Sequence, residues 1–138
     1  MPKPTVLFVC VSNAGKSQMA EALLRAIVGD KVAIKSAGTS PKGSINSKSA
    51  ESVARVGASM EDAESKGIDP EILRAADRVI ILGNNAELDT DPEMKAAIER
   101  WDIDEPSLRG IEGDVRMDLI RDDIDSRVRE LAQDLLEH

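Results

Sequence analysis

Thr5-Val6-Leu7-Phe8-Val9-Cys10-Val11-Ser12-Asn13-Ala14-Gly15-Lys16-Ser17 is the stretch from which the rest of the chain can be read. Its first half is an unbroken apolar run, the mark of a buried strand. Its end opens an amphipathic helix, with Met19, Ala20, Leu23, Leu24 and Ile27 at helical spacing. Small residues lie between the two. In a strand–loop–helix of this kind, backbone N–H groups and the helix N-terminus converge on one point and bind an oxyanion. Cys10 stands at that point, where the same field stabilises a thiolate. Residues 10–17 therefore offer a nucleophile and an anion cradle in one loop.

Outward from the loop, helices and strands alternate. The first strand covers residues 4–10, and the helix after it runs from 16 to 28 and stops at Gly29, a suitable residue just past a helix end. Val32 and Ile34 alternate with polar neighbours in a second strand, followed by Ser36-Ala37-Gly38-Thr39 and a loop with Pro41 and Gly43. Asn46 or Ser47 caps a helix that carries Ala50, Val53 and Val56 and ends near Gly57. Residues 58–69 read as irregular and polar. Pro70 suits the first turn of a short helix through Ala75, and residues 78–82 read as the third strand. Asp91-Pro92 predicts a cap and first turn for a helix ending near Arg100. Trp101-Asp102-Ile103 is a weak fourth strand, and the loop Asp104-Glu105-Pro106-Ser107 follows it. The last helix places Val115, Leu119, Ile124, Val128, Leu131 and Leu135 at spacings of three and four.

This alternation predicts βαβ units around a parallel sheet, with ligands at the carboxyl ends of the strands. Cys10, the end of the third strand and the Glu105 loop would then share one rim. No linker, repeat or low-complexity segment interrupts the 138 residues, so a single domain over residues 1–138 is expected.

The composition narrows the function. With one Phe, one Trp and no Tyr, the core must be aliphatic, and no aromatic platform is available for stacking bases. The net charge is −8, and residues 99–138 hold 13 acidic and 6 basic residues, a balance of −7 that leaves −1 for residues 1–98. An acidic chain without a basic stripe is not expected to bind nucleic acid or an anionic membrane, so oxyanion binding must be local. One cysteine excludes an internal disulfide and suggests a reducing compartment. No secretory signal or transmembrane span fits, which makes the cytoplasm the expected location. The only histidine, His138, is the last residue and is expected to fray. Ser-His-Asp chemistry, Cys-His pairs and His-ligated metals fall away with it, and neither a metal nor a bound cofactor is expected.

Two phosphate-loop chemistries compete for residues 10–17. The nucleotide-binding pattern G-x-x-x-x-G-K-[ST] is missed by one residue, Cys10 standing where the first Gly belongs. In that reading Lys16 reaches the outer phosphates and Ser17 holds Mg²⁺. The third strand, however, ends Ile81-Leu82-Gly83-Asn84-Asn85 without an Asp for the metal. The other chemistry is the cysteine loop C-x-x-x-x-x-R-[ST], in which the thiolate attacks a tetrahedral oxyanion and the cation neutralises its oxygens. Ser17 would hydrogen-bond the thiolate, Asn13 would orient the loop through its amide, and Gly15 would let backbone amides approach the anion closely.

The chain resembles the low-molecular-weight tyrosine phosphatase superfamily and, within it, the thiol-dependent arsenate reductases. The residues that carry this are Val9-Cys10, Asn13, Lys16-Ser17-Gln18-Met19-Ala20-Glu21, Ser36-Ala37-Gly38-Thr39, and Trp101 with Asp104-Glu105-Pro106, in the order of that family and across nearly the whole chain. The resemblance implies an α/β three-layer sandwich with a central four-stranded parallel sheet. Lys16 departs from the Arg that most members carry, and the swap is not conservative, because Arg is a bidentate fork and Lys a point charge. A Lys there is similar to the actinobacterial arsenate–mycothiol transferases, as are Gly67-Ile68-Asp69-Pro70-Glu71-Ile72-Leu73-Arg74 and Val79-Ile80-Ile81-Leu82-Gly83.

The cysteine count points the same way. Self-reducing arsenate reductases carry two more cysteines near the end of the third strand, where this chain has Gly83-Asn84-Asn85-Ala86-Glu87-Leu88-Asp89. An arsenic–sulfur adduct on Cys10 would need an external thiol to resolve it. The resemblance implies mycothiol as that co-substrate and a mycoredoxin downstream that releases arsenite. Arsenate would be held by residues Val11, Ser12, Asn13, Ala14, Gly15, Lys16 and Ser17, and Glu105 or Asp104 would protonate the departing oxygen. A sequence in which mycothiol attacks bound arsenate and Cys10 only assists is the variant of this scheme. Met19 and Trp101 are expected in the core. The rival readings are a protein tyrosine phosphatase, weakened by Lys16 and by the lack of a Tyr near Pro106, and a non-catalytic oxyanion-binding homologue.

Overall fold

The computed structural model describes residues 3–61 and 63–137, so His138 lies outside the described residues. Four parallel strands, β1 (Thr5–Cys10), β2 (Ala33–Gly38), β3 (Arg78–Leu82) and β4 (Ile98–Trp101), lie in the order β2-β1-β3-β4. Around them run α1 (Lys16–Val28), α2 (Ser47–Ala54), α3 (Pro70–Ala75) and α4 (Gly113–Leu136). Both faces of β1 are covered, which is why its apolar residues do not alternate with polar ones. Val6 and Phe8 face a core built with Met19, Leu23 and Leu24 of α1 and Ile120, Ile124 and Val128 of α4. Leu7 and Val9 face a second, smaller core with Val79 and Ile81 of β3 and Leu73 of α3. This is the three-layer α/β sandwich with a central four-stranded parallel sheet. Because β2 and β3 flank β1 on opposite sides, the carboxyl end of β1 is the point where connections diverge and a crevice opens.

Local chemistry sets the helix ends. Gly29 closes α1 at φ +59°, a conformation costly for a residue with a Cβ. Asn46 caps α2, its Oδ1 accepting from Lys48 N at 2.9 Å and Ser49 N at 3.2 Å. Asp69 does the same for α3 through Glu71 N at 2.9 Å, with Pro70 at the first helical position.

The segment 91–100 differs from its sequence reading. Asp91 does cap a turn, accepting from Glu93 N at 2.8 Å and, through its carbonyl, from Met94 N at 3.0 Å, but no helix follows. Met94, Ala96 and Ile98 pack on the smaller core at a period of two, and Arg100 donates to Gly83 O at 2.6 Å and Ala86 O at 2.8 Å. Tertiary contacts thus make the end of this segment the fourth strand, three residues earlier than Trp101-Asp102-Ile103 suggests. Helix α2 also stops short, at Ala54, leaving Val56 exposed, and Val115 lies on the exposed side of α4 while Met117 and Ile120 turn inward. Met19 is fully buried, and Trp101 packs half-buried against Phe8 with ring centroids 5.8 Å apart. Among the described residues no helix is long and apolar enough to cross a membrane.

Candidate active site

Residues 11–15 carry the chain from the end of β1 to the start of α1. Asn13 makes the turn at φ +52°, a left-handed conformation that Asn tolerates better than most residues. The carbonyls of the loop are engaged from outside. Cys10 O accepts from Thr39 N at 3.0 Å, Val11 O from Ser40 N at 2.8 Å and Ala14 O from Asn46 N at 2.9 Å. Ser12 O accepts from Ser65 Oγ at 2.7 Å, and Asn13 O from Gln18 Nε2 at 3.2 Å. The amides of Ser12, Gly15, Lys16 and Ser17 have no acceptor among the described residues. A loop whose carbonyls are held back and whose N–H groups are free is an anion nest.

Gly38 makes this possible. A Cβ there would lie 2.7 Å from Val11 O and 2.9 Å from both Asn13 N and Ser12 C, all backbone atoms. Only a glycine lets β2 back so closely onto the loop.

Cys10 is buried at 6% exposure, with Sγ 2.9 Å from Ser17 Oγ and accepting from Asn13 N at 3.3 Å. Asn13 Nδ2 donates to Ser17 Oγ at 2.8 Å. The orientation of the Asn13 amide is fixed from the other side, since its Oδ1 accepts from Lys66 N at 2.9 Å and Gln18 Nε2 at 3.1 Å. With one acceptor site of Oγ taken by Asn13, the Ser17 hydroxyl proton is free to point at the sulfur. The arrangement lets Cys10 Sγ accept from both Ser17 Oγ and Asn13 N. The network continues outward: Lys66 Nζ lies 3.3 Å from Ser36 Oγ, which donates to Glu21 Oε1.

Cys10 opens onto a cavity of about 370 Å³. Val11, Ser12, Ala14, Gly15 and Lys16 line it from the loop, Lys42 and Asn46 from the segment before α2, Gly83, Asn84 and Asn85 from the end of β3, and Arg116, Met117 and Ile120 from α4. Among the described residues its charged ones are Lys16, Lys42 and Arg116, with no carboxylate, in a chain of net charge −8. The local field is thus opposite in sign to the global one. Asn13 and Ser17 are fully buried behind the loop and do not line the cavity. Among the described residues no group of His, Cys, Asp and Glu could hold a metal ion.

Asp104 and Glu105 are not among the lining residues. Arg116 grips Glu105 with both prongs of its guanidinium, Nε at 2.8 Å and Nη2 at 2.7 Å. Ser107 adds N–H and hydroxyl bonds at 3.2 and 2.8 Å, making Glu105 the cap of a short 3₁₀ turn, Pro106–Arg109. The Arg116 guanidinium foremost, with Ser107 behind it and burial opposing, holds the Glu105 carboxyl at about 2. Asp104 is paired with Arg109 at 2.7 and 3.0 Å, and that guanidinium lowers it too. In this arrangement neither carboxylate is placed as the proton donor the sequence leads one to expect; each is engaged by an arginine.

Several residues of the site carry no sequence signal of their own. Segment 64–66, read as merely polar and irregular, supplies Ser65 and Lys66 to the loop, and Lys66 O accepts from Gly38 N at 2.8 Å. Lys42 and Arg116 reach the cavity from elements far away in sequence. Gln18 appears only inside the resembling motif, yet its amide ties Asn13 to Glu64 O at 2.8 Å.

The chain matches the model of the low molecular weight phosphotyrosine protein phosphatase family over residues 5–138. It is 32% identical over 139 residues to an arsenate reductase of Bacillus licheniformis, covering 96% of this chain and 98% of the relative. An arsenate reductase of Bacillus cereus is 34% identical over 133 residues, 95% of this chain and 96% of the relative. Among solved structures, a Corynebacterium glutamicum thioredoxin-dependent arsenate reductase superimposes with TM-score 0.80 at 33% identity; the match covers 98% of this chain but 63% of that longer one. An Erwinia amylovora tyrosine phosphatase shares the fold alone, at TM-score 0.79 and 16% identity over 97% of this chain and 94% of the other. The family match over residues 5–138, together with relatives 32–34% identical over nearly the whole chain, shows that the chain belongs to the low-molecular-weight phosphotyrosine protein phosphatase family.

Proposed function

We propose that this chain is a thiol-dependent arsenate reductase, acting as an arsenate–mycothiol transferase in arsenical detoxification. The observation that carries the reading is the donation of Ser17 and Asn13 N to Cys10 inside an anion nest, in a sequence with no second cysteine. Arsenate occupies the nest, its oxygens taken by the free amides of Ser12, Gly15, Lys16 and Ser17 and by the Lys16 side chain. The Cys10 thiolate attacks arsenic; an S–As bond forms as an As–O bond breaks, and the oxygen leaves as water with a proton from Glu105 or Asp104. Mycothiol thiolate then attacks arsenic, and Cys10 leaves as the thiolate that Ser17 again holds. Arsenic stays pentavalent through both displacements, so the two-electron reduction to arsenite falls to mycoredoxin and its own thiols.

Two observations support arsenate over an aryl phosphate, and a third supports an external thiol. The relatives that match at 32–34% identity over nearly the whole chain bear the name arsenate reductase. The cavity is lined by hydroxyls and amides, Ser44, Asn46 and Asn85 among them, with no aromatic side chain to sandwich a phenol. These neutral polar groups also suit a hydroxyl-rich thiol. The single cysteine separates this chain from relatives that pass electrons through an internal disulfide. The deciding experiment compares arsenate-dependent consumption of mycothiol with hydrolysis of an aryl phosphate, and adds an arm with thioredoxin and no small thiol. Arsenate turnover with mycothiol alone is expected to dominate. A faster aryl-phosphatase rate would make the chain a phosphatase, and turnover with thioredoxin alone would overturn the role of the external thiol.

A further inference from the structure

Four arginines lie along α4 between residues 116 and 129, and only one of them, Arg116, lines the cavity that Cys10 opens onto. Ser49 of α2 joins the loop to the first turns of α4. Ser49 Oγ lies 3.4 Å from where a Cβ of Gly15 would be and bonds Met117 Sδ at 3.6 Å, so Arg116 stands one residue from a side chain in this contact. Its guanidinium is engaged edge-on by Glu105, and both side chains are 29% exposed.

We propose that Arg116 is the second oxyanion-binding cation of this site, and that its ion pair with Glu105 is a resting latch that an anion in the loop opens. This rests on reading residues 10–17 as an oxyanion cradle. Lys16 gives that cradle a point charge, with no fork to match two oxygens at once. Arg116 has the fork, and a carboxylate and one edge of a tetrahedral oxyanion present it with the same pair of acceptors. Exchange between the two costs little, because a partly exposed ion pair contributes little net stability. The cavity favours the incoming anion further, since the residues that line it include three cations and no carboxylate to compete.

The exchange has a consequence for proton transfer. Arg116 is the main cause of the depressed Glu105 carboxyl, the other groups facing it being Ser107 and the neighbouring Asp104, with Glu112 close to the guanidinium. Once Arg116 moves onto the bound anion, the main cause of the depressed Glu105 carboxyl is gone and it rises toward its ordinary range, closer to proton transfer to the departing oxygen. Oxyanion binding and arming of the acid then become one event. A purely structural brace between the 3₁₀ turn and α4 would show no such coupling.

The test is calorimetric binding of inorganic phosphate and of arsenate to the wild type, Arg116→Ala, Glu105→Gln and the double variant, with melting temperatures measured alongside. Arg116→Ala is expected to weaken both anions on the order of tenfold. Glu105→Gln, which frees Arg116, is expected to tighten them by roughly threefold or more, and the double variant to bind like Arg116→Ala. Arg116→Lys, expected in between, serves if the alanine variant does not fold. Unchanged affinity in Arg116→Ala, or no gain in Glu105→Gln, overturns the latch, as does a pair of variants that lower only the melting temperature. A wild type that binds neither anion overturns the cradle and the latch together. A wild type that binds both but transfers no arsenate to a thiol overturns the proposed function and leaves the latch standing.

Discussion

The loop of residues 10–17 lines the cavity, the acid–Pro segment of residues 104–109 is tied to it, among the described residues, only through Arg116, and the two are held by different forces. The loop is fastened by buried hydrogen bonds between neutral groups. Asn13, Ser17 and Gln18 are all at most 2% exposed, and no buried side-chain polar atom among the described residues lacks a partner. The acid–Pro segment is fastened by ion pairs open to water, Asp104 to Arg109 and Glu105 to Arg116. Buried networks are costly to disturb because each orphaned group loses its water as well as its partner. Partly exposed ion pairs exchange partners at little cost. The nest of amides is therefore built in advance, as electrostatic stabilisation of an anion requires, while Asp104 and Glu105 are held by pairs that a new charge can exchange.

The sharpest way to break this comparison is Cys10→Ser. The side chain is nearly isosteric, and Asn13 and Ser17 can bond a hydroxyl as they do the sulfur. Arsenate-dependent thiol consumption should fall by more than about a thousandfold, with the circular-dichroism melt nearly unchanged. Residual turnover near the wild-type rate would place the chemistry elsewhere. Gly38→Ala tests the preformed loop from behind. Its Cβ would meet three backbone atoms within 2.9 Å, and none can swing aside as a side-chain tip would. The expected loss is about 3 kcal/mol of stability, with weakened phosphate binding, from a residue that never touches substrate. A variant as stable as the wild type would show that the loop yields freely.

The same division explains what the sequence disclosed. The apolar run 5–10, the spacing of α1, the cap at Asn46 and Pro70 in the first turn of α3 are local signals, and they held. So did the four-stranded parallel sheet, because strand–helix alternation leaves little other choice. Segment 91–100 went the other way because Asp91-Pro92 is an equally good start for a helix or a single turn. Only packing of Met94, Ala96 and Ile98 under β3 decided between them. Lys66, Lys42 and Arg116 were illegible for a related reason: a lysine or arginine on a polar stretch looks like solvated surface until the fold carries it behind the loop, as with Lys66, or to the cavity, as with Lys42 and Arg116. Glu105 shows the limit most clearly. Its place in an acid–Pro loop is visible in the sequence, whereas the arginine that holds it ionised lies 11 positions downstream.

Lys16→Arg sharpens the contrast within the loop. Lys16 lines the cavity and, among the described residues, forms no ion pair, so a fork there meets no competing carboxylate. Phosphoryl transfer spreads charge over three equatorial oxygens, which a planar guanidinium matches better than an ammonium. The ratio of aryl-phosphatase to arsenate-transfer activity is expected to rise by about tenfold, since the compact Lys leaves room for an incoming thiol. A ratio that stays put, or moves toward arsenate, would take from Lys16 any part in choosing the reaction.

The smallest expected effect lies in the pH dependence of stability, read through Glu105→Gln. The Glu105 carboxyl is held below its ordinary 4.5, at about 2, with Arg116 as the main cause. A depressed carboxylate stabilises the fold above its unfolded value and stops doing so as pH falls through the folded one. The Glu105–Arg116 pair therefore contributes fully above about 4.5, progressively less on the way down to about 2, and nothing below it. Asp77, Asp91, Asp104 and Asp118 are lowered as well, so wild type and variant both lose stability in acid. The difference between them isolates Glu105. At pH 7 it should be about 1 kcal/mol in denaturant melts, most of the Coulombic gain being screened at a partly exposed pair, and it should shrink toward zero by about pH 2. Gly38→Ala, whose cost is steric, should lose the same amount of stability at both pH values. If the Glu105→Gln deficit proved as independent of pH as that of Gly38→Ala, Glu105 would be holding the turn by shape rather than by charge, and the two regions would differ in exposure only.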